Sequence, residues 1–239
     1  MIESAVLLAA GRGKRQRPFT DEVPKPLLQA YGRATLDYIL TAVLRAGVKR
    51  ACLVTNHLEE KIFEFVGDGS KWNLTVTFAH QNETRGSGDA LKSVPHQWIK
   101  DEPVLVLATD YILEENVLSD LVKAREQASA EIMMSLKECS VDELMARSTV
   151  EVDSDWRVKR IIEKPAHNEI LSPYAASVMY IFPRAVWNYL PRIQPSARGE
   201  IELPSAVQLM IDDGCKAFGL LQAAPKEWKP DLINRPVDE

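Results

Sequence analysis

Between Gly11 and Arg17 the chain reads Gly-Arg-Gly-Lys-Arg-Gln-Arg, so four cations and two glycines crowd together directly after the apolar run Val6-Leu7-Leu8-Ala9-Ala10. Glycine lets backbone N–H groups turn toward an anion, and the Arg and Lys side chains neutralise charge that the backbone cannot. That is the chemistry of a polyphosphate cradle at the end of a strand. Pro24-Lys25-Pro26 follows, and prolines on both sides of Lys25 hold the chain extended and so aim the ammonium. A dinucleotide fingerprint would need a glycine where Gln16 stands, and the P-loop pattern of Gly, four residues, then Gly-Lys-Ser/Thr is absent.

Further along, Gln81-Asn82-Glu83-Thr84-Arg85-Gly86-Ser87-Gly88-Asp89 joins a strand to a helix. Glycines at a helix N-terminus allow close approach of a flat base or its phosphates. The Gln81 amide offers one acceptor and one donor, which suits the O4 and N3–H edge of uracil or thymine. Asp110 ends the apolar stretch 103–108, and a carboxylate at the C-terminal end of a buried strand is placed to hold Mg2+ together with phosphate oxygens. Two later steps, Glu163-Lys164-Pro165 and Arg198-Gly199-Glu200, supply cations that could bracket a phosphate monoester near an electron-poor centre. Asp153-Ser154-Asp155 imitates the Asp-x-Asp of metal-dependent glycosyltransferases, but its place between two strand-like runs reads as a hairpin turn. His57, His80, His96 and His167 have no metal-ligand spacing, and no Gly-x-Ser-x-Gly elbow occurs.

These groups need a scaffold that brings them to one edge. Thr35 to Ala46 repeats apolar residues at helical spacing and stops at Gly47; 50–55 and 74–79 read as strands around a helix over 59–66. The β-α-β-α-β order implies a parallel sheet with right-handed crossovers. A helix over 89–98, a buried strand over 103–108, a helix over 117–128 and a strand over 130–136 continue the alternation. From about residue 147 the character changes to a hairpin (149–153 and 158–162), a strand over 177–182 and helices over 184–190 and 201–213. The expected fold is α/β, with a Rossmann-like, mixed but mostly parallel central sheet flanked by helices. We read residues 1–239 as a single domain, in which 1–146 binds nucleotide and 147–239 shapes an acceptor pocket.

A net charge of −5 argues against general nucleic-acid binding and makes the local basicity of 12–17 a focused small-anion site. Cys52, Cys139 and Cys215 are odd in number and widely spaced, which points to a reducing cytoplasm rather than a disulfide framework. No stretch has the length of a membrane span, and the N-terminus lacks the basic lead of a signal peptide.

The succession Leu8-Ala9-Ala10-Gly11-x-Gly13-x-Arg15, then Pro18, then Pro24-Lys25-Pro26-Leu27 resembles the sugar-phosphate nucleotidyltransferases, or NDP-sugar pyrophosphorylases, of uridylyl- and thymidylyltransferase type. The resemblance implies that UTP or dTTP is joined to a sugar 1-phosphate, with Mg2+ as cofactor and pyrophosphate as product. It places Leu8, Ala10, Gly11, Gly13, Gln81, Gly86 and Ser87 against the nucleotide, and Arg15, Lys25 and Asp110 at the reacting phosphates. Glu163 then contacts sugar hydroxyls, and Lys164 and Arg198 contact the sugar phosphate. The family pattern gives a second metal ligand after Trp228, which is Asp231 by chemistry or Asn234 by local pattern. This chain departs from the pattern at Thr109 (Gly in the family), at Arg147-Ser148 (Tyr-Gly) and at Val178 (Gly). The rival classes are a glycosyltransferase using an NDP-sugar and a non-catalytic nucleotide or NDP-sugar sensor. Homo-oligomer formation stays open.

Overall fold

A computed structural model of the protein describes residues 2–196 and 198–233. Its centre is a sheet of seven strands, whose five inner strands are largely buried on both faces and whose two edge strands are partly exposed. In chain order these are β1 (Ser4–Leu8), β2 (Arg50–Thr55), β3 (Thr75–His80), β4 (Val104–Ala108) and β5 (Ile132–Glu138). The hairpin β6 (Ser148–Val152) and β7 (Val158–Glu163) lies outside the sheet, and β8 (Tyr174–Phe182) and β9 (Ala217–Leu221) complete it. The spatial order is β9-β5-β8-β4-β1-β2-β3. β1 runs parallel to β2 and β4, β2 to β3, and β9 to β5, whereas β8 is antiparallel to both β4 and β5. The α/β architecture with one reversed strand is the mixed, mostly parallel sheet expected.

Alternation along each strand divides the core. Val6, Cys52, Val104 and Val106 face one apolar layer together with Leu91, Leu203, Val207 and the hairpin's Val150 and Val158. Ala5, Leu7, Leu53, Leu105 and Leu107 face the other, against Leu36, Ile39, Leu40, Ile62 and Leu118. The helices therefore cover both faces: α1 (Thr35–Arg45), α2 (Glu59–Val66) and α4 (Val117–Ala128) on one, and α3 (Ser87–Lys92) and α6 (Leu203–Asp212) on the other, with α5 (Val141–Ala146) before the hairpin. Because both faces are covered, the strands read as continuous apolar runs rather than alternating ones.

Several boundaries differ from the sequence reading. The helix expected over 89–98 is only Ser87–Lys92, followed by a 3-10 turn at His96–Trp98, since Pro95 cannot continue it. The strand expected to begin at residue 177 begins at Tyr174, and the helix expected from 201 begins at Leu203 with Pro204 in its first turn. Elsewhere local signals suffice: α1 ends in a Schellman motif, with Gly47 at φ 85°, its N–H donating to Leu44 O (3.0 Å) and Val48 N–H to Val43 O (3.3 Å).

Candidate active site

Ligands of open α/β sheets bind beyond the C-terminal strand ends, at the point where the strand order reverses. Here that point lies between β1 and β4, and a cavity of about 280 Å³ occupies it. From β1 and the following loop come Leu8, Ala10, Gly11 and Lys25; from the segment after β3 come Gln81, Gly86 and Ser87; from just beyond β4 comes Asp110. Val178 of β8 and Glu200 close the remaining wall. A larger cavity of about 810 Å³, walled in part by Tyr31, Tyr38, Glu115 and Gln222, contains none of the residues singled out from sequence. Chemistry rather than size marks the first.

Lys25 Nζ lies 2.6 Å from Asp110 Oδ2. Both groups are partly exposed to the cavity, and Asp110 Oδ1 is buried with no hydrogen-bond partner among the described residues. The beginnings of the two loops are tied together by Thr109, whose hydroxyl donates to Leu8 O (3.0 Å). The hydroxyl found where the family pattern has glycine thus braces the two strand exits.

At the other side, Gln81 is buried, and its Nε2 donates to Asp89 Oδ2 (2.9 Å) and Gly86 O (3.3 Å). Those partners fix the amide's orientation and leave Oε1 as its unengaged end. Gly86 has φ 114°, and a Cβ there would sit 2.5 Å from the carbonyl oxygen of Ile201. Only glycine fits. The N–H groups of Gly88 and Asp89 donate to that same carbonyl (2.8 and 3.4 Å), so these two donors at the start of α3 are taken internally. The close approach of Ile201, invisible in sequence, thus takes two donors of the helix end expected to meet a base or phosphate.

Glu163, Lys164, Glu200 and Glu202 converge at the acceptor end. Lys164 Nζ contacts Glu200 Oε2 (2.5 Å) and Glu202 Oε1 (3.3 Å). Burial opposes the ammonium charge, but these carboxylates outweigh it and raise the Lys164 pKa. Glu163 moves the other way from an ordinary carboxylate: burial first, then the negative Glu202 and Glu200, push it up to about 8 against the opposing Lys164 and Arg198. Lys164 holds φ 47°, and its N–H donates to Arg147 O (2.5 Å). The Arg147 guanidinium pairs with Glu227, and Ser148 Oγ accepts from Ala176 N–H (3.0 Å). Val178 donates its N–H to Tyr111 Oη (3.3 Å).

Other predicted residues are not brought into the cavity wall. Arg15 is exposed on a 3-10 turn, Lys14–Gln16, and among the described residues none of Arg12, Lys14 and Arg15 makes an ion pair. Gly13, at φ 59°, packs against Thr20 and Lys25 and shapes the loop instead. Arg198 is exposed. Asp231 is exposed on the turn Pro230–Leu232, beyond Trp228, whose indole donates to Gln29 O (2.8 Å); Asn234 lies outside the described residues. Asp153 makes the turn expected, accepting from the N–H groups of Asp155 and Arg157 (3.0 Å each) and pairing with Lys159. Glu202 escaped the sequence reading because an acidic residue in the first turn of the helix expected over 201–213 reads as an ordinary partner of the helix dipole.

Residues 4–229 match the protein family described as nucleotidyl transferase. The chain belongs to that family. Among its relatives are a UTP–glucose-1-phosphate uridylyltransferase, AglF, of Haloferax volcanii, 31% identical over 88% of this chain and 84% of that one, and a glucose-1-phosphate thymidylyltransferase of an Actinoplanes species, 31% identical over 90% and 70%. A low-salt glycan biosynthesis nucleotidyltransferase of Haloferax volcanii is 30% identical over 87% of this chain, which spans 57% of that relative's length. A solved UDP-glucose pyrophosphorylase, complexed with UDP-glucose, superposes with a TM-score of 0.82 over 95% of this chain and 93% of its own, at 18% identity. The family's enzymatic nucleotidyl transfer agrees with the reaction read from the motifs, and the glycosyltransferase and sensor alternatives are not favoured. Among the described residues no helix is long and apolar enough to cross a membrane.

Proposed function

We propose that this protein joins UTP or dTTP to a sugar 1-phosphate, giving an NDP-sugar and pyrophosphate. The observation that carries the reading is the Lys25–Asp110 contact of 2.6 Å in the wall of a cavity that Gln81 also lines and that Glu200, the partner of Lys164, joins to the Lys164 cluster. A phosphate oxygen of the acceptor attacks the NTP α-phosphorus in line; that O–P bond forms as the bond to the β-phosphate oxygen breaks. No protein nucleophile is required, so catalysis consists of positioning and charge neutralisation.

Lys25 supplies its ammonium to the α-phosphate and the incoming phosphate. The exposed cations of the 11–15 loop, Arg15 among them, have charge to spend on the leaving pyrophosphate. Gln81 Oε1 accepts from the base N3–H. Lys164 and Arg198 hold the acceptor phosphate, with Glu163 at a sugar hydroxyl. The orphaned Asp110 Oδ1 fits a hard cation such as Mg2+, and Asp231 on the C-terminal turn would be its second carboxylate. Bound there, Mg2+ would offset charge on the triphosphate oxygens. The spaced, free cysteines suit a reducing cytoplasm.

The test is to incubate the purified protein with each NTP, a panel of sugar 1-phosphates and Mg2+, and to measure pyrophosphate. Release should be fastest with UTP or dTTP and should fall by orders of magnitude in Lys25→Ala and Asp110→Asn, both with an unchanged circular dichroism spectrum. Unimpaired turnover in either variant refutes the assignment.

A further inference from the structure

We propose that Glu202 is a positioning residue that couples the two halves of the cavity by tying Ser87, on the nucleotide side, to Lys164, on the acceptor side. The inference rests on the function proposed above and adds a residue to it. One carboxylate oxygen, Oε2, accepts from the Ser87 hydroxyl at 2.9 Å; the other, Oε1, faces Lys164 Nζ at 3.3 Å. The Glu202 side chain is only 14% exposed, so water competes weakly for it. Although Glu202 occupies the cap position of α6, its side chain makes no bond to that helix; Ser87 does so instead, its Oγ accepting from Leu203 N–H at 3.0 Å. The capping role is therefore filled by another residue, and the Glu202 carboxylate reaches both segments, lying beside Glu200 as well.

Each segment it joins is held by backbone bonds of its own. Ile201 N–H donates to Arg85 O (2.6 Å), its carbonyl accepts from Gly88, and glycine at 86 permits the close approach. Lys164 is held in the left-handed region by its bond to Arg147, which leaves the ammonium to be steered by its carboxylate partners. Those partners are not equivalent. Glu200 lines the cavity and Glu202 does not, so an acceptor phosphate entering the cavity takes the place of Glu200 on Lys164 while Glu202 keeps the ammonium in place from behind. A nucleotide seated against Gly86 and Ser87 fixes Ser87, hence Glu202, hence Lys164. By linkage, nucleotide must then tighten acceptor binding by the same factor as acceptor tightens nucleotide.

A double-mutant cycle decides this. Steady-state constants for UTP and for the sugar 1-phosphate that the wild type turns over fastest are measured in the wild type, Glu202→Gln, Ser87→Ala and the double variant. Calorimetry gives the affinity for that sugar phosphate with and without a UTP analogue bridged by methylene between the α- and β-phosphorus. Glu202→Gln should raise the acceptor KM about tenfold and leave the UTP KM within about twofold. Ser87→Ala should also raise the acceptor KM, and the double variant should be no worse than Glu202→Gln alone. The tightening of acceptor binding by the analogue, present in the wild type, should vanish in both single variants. An unchanged acceptor KM, additive effects, or equal losses in both KM values that track a fall in Tm would overturn the coupling. If Glu202→Gln does not fold, the Ser87→Ala constants decide by themselves. A wild type that releases no pyrophosphate with any acceptor would refute the proposed function, a result distinct from active enzyme with uncoupled sites.

Discussion

Replacing Glu163 by Gln should make the protein more stable at alkaline pH and leave it unchanged in mild acid. The carboxyl, ordinarily near 4.5, is raised to about 8 by burial and by the carboxylates of Glu202 and Glu200. Between these two values the native state keeps a proton that the unfolded chain releases, so the native state binds more protons and stability falls as pH rises across the window. At about 1.4 kcal/mol per pH unit the ceiling on that loss is about 5 kcal/mol. Glu163 retains some solvent contact, and we scale the expectation to about 2 kcal/mol. Glutamine keeps the shape and cannot ionise. Urea unfolding of both proteins from pH 5 to pH 9 should therefore show a stability difference near zero at pH 5 that grows to about 2 kcal/mol above pH 8. The same proton bears on function: a neutral Glu163 leaves the Lys164 charge for the acceptor phosphate, so the acceptor KM should climb above pH 8 in the wild type and stay flat in Glu163→Gln. A pH-independent stability difference, or a wild type that gains stability across the window relative to the variant, would refute the reasoning.

Three further outcomes are expected. Gly86→Ala forces a side chain into a backbone region closed to it and against the Ile201 carbonyl, so it should cost about 2–4 kcal/mol in chemical denaturation and abolish turnover; a loss below about 0.5 kcal/mol would contradict the geometry. Because Gln81 Nε2 is engaged by Asp89, its acceptor oxygen should prefer UTP over CTP, whose N3 has no hydrogen, by about 10–100-fold in kcat/KM, and Gln81→Ala should collapse that ratio. Ser140 forms a capping box with Glu143 at the start of α5, and Ser140→Ala should lower stability by about 1 kcal/mol without altering kcat/KM.

The parts legible in sequence were those whose causes are local. The run Val104-Leu105-Val106-Leu107 announces a strand covered on both faces, and the periodicity of Thr35–Arg45 with Gly47 after it announces a helix and its stop. Strand β9 was missed because Gly219 weakens its pattern, yet that glycine is what lets the strand lie against Leu136. Helix α5 was missed although Ser140-x-x-Glu143 carries a start signal, since six residues show too little periodicity. The insertion of β8 between β4 and β5 in reversed direction could not be read, because strand order depends on pairings among residues far apart in sequence.

The same division runs through the site. Residue types raised the expectation of a polyphosphate, an amide-read base and a phosphate monoester, since glycine, lysine, arginine and carboxylate chemistry travels with the side chain. Tertiary structure decided which of those groups meet. It set Lys25 against Asp110, left Arg15 and Arg198 in solvent, closed the start of α3 with Ile201 and brought Glu202 between Ser87 and Lys164. Charge and hydrogen-bonding capacity are properties of a residue, whereas proximity, burial and the resulting rise in the Glu163 pKa are properties of the packed chain.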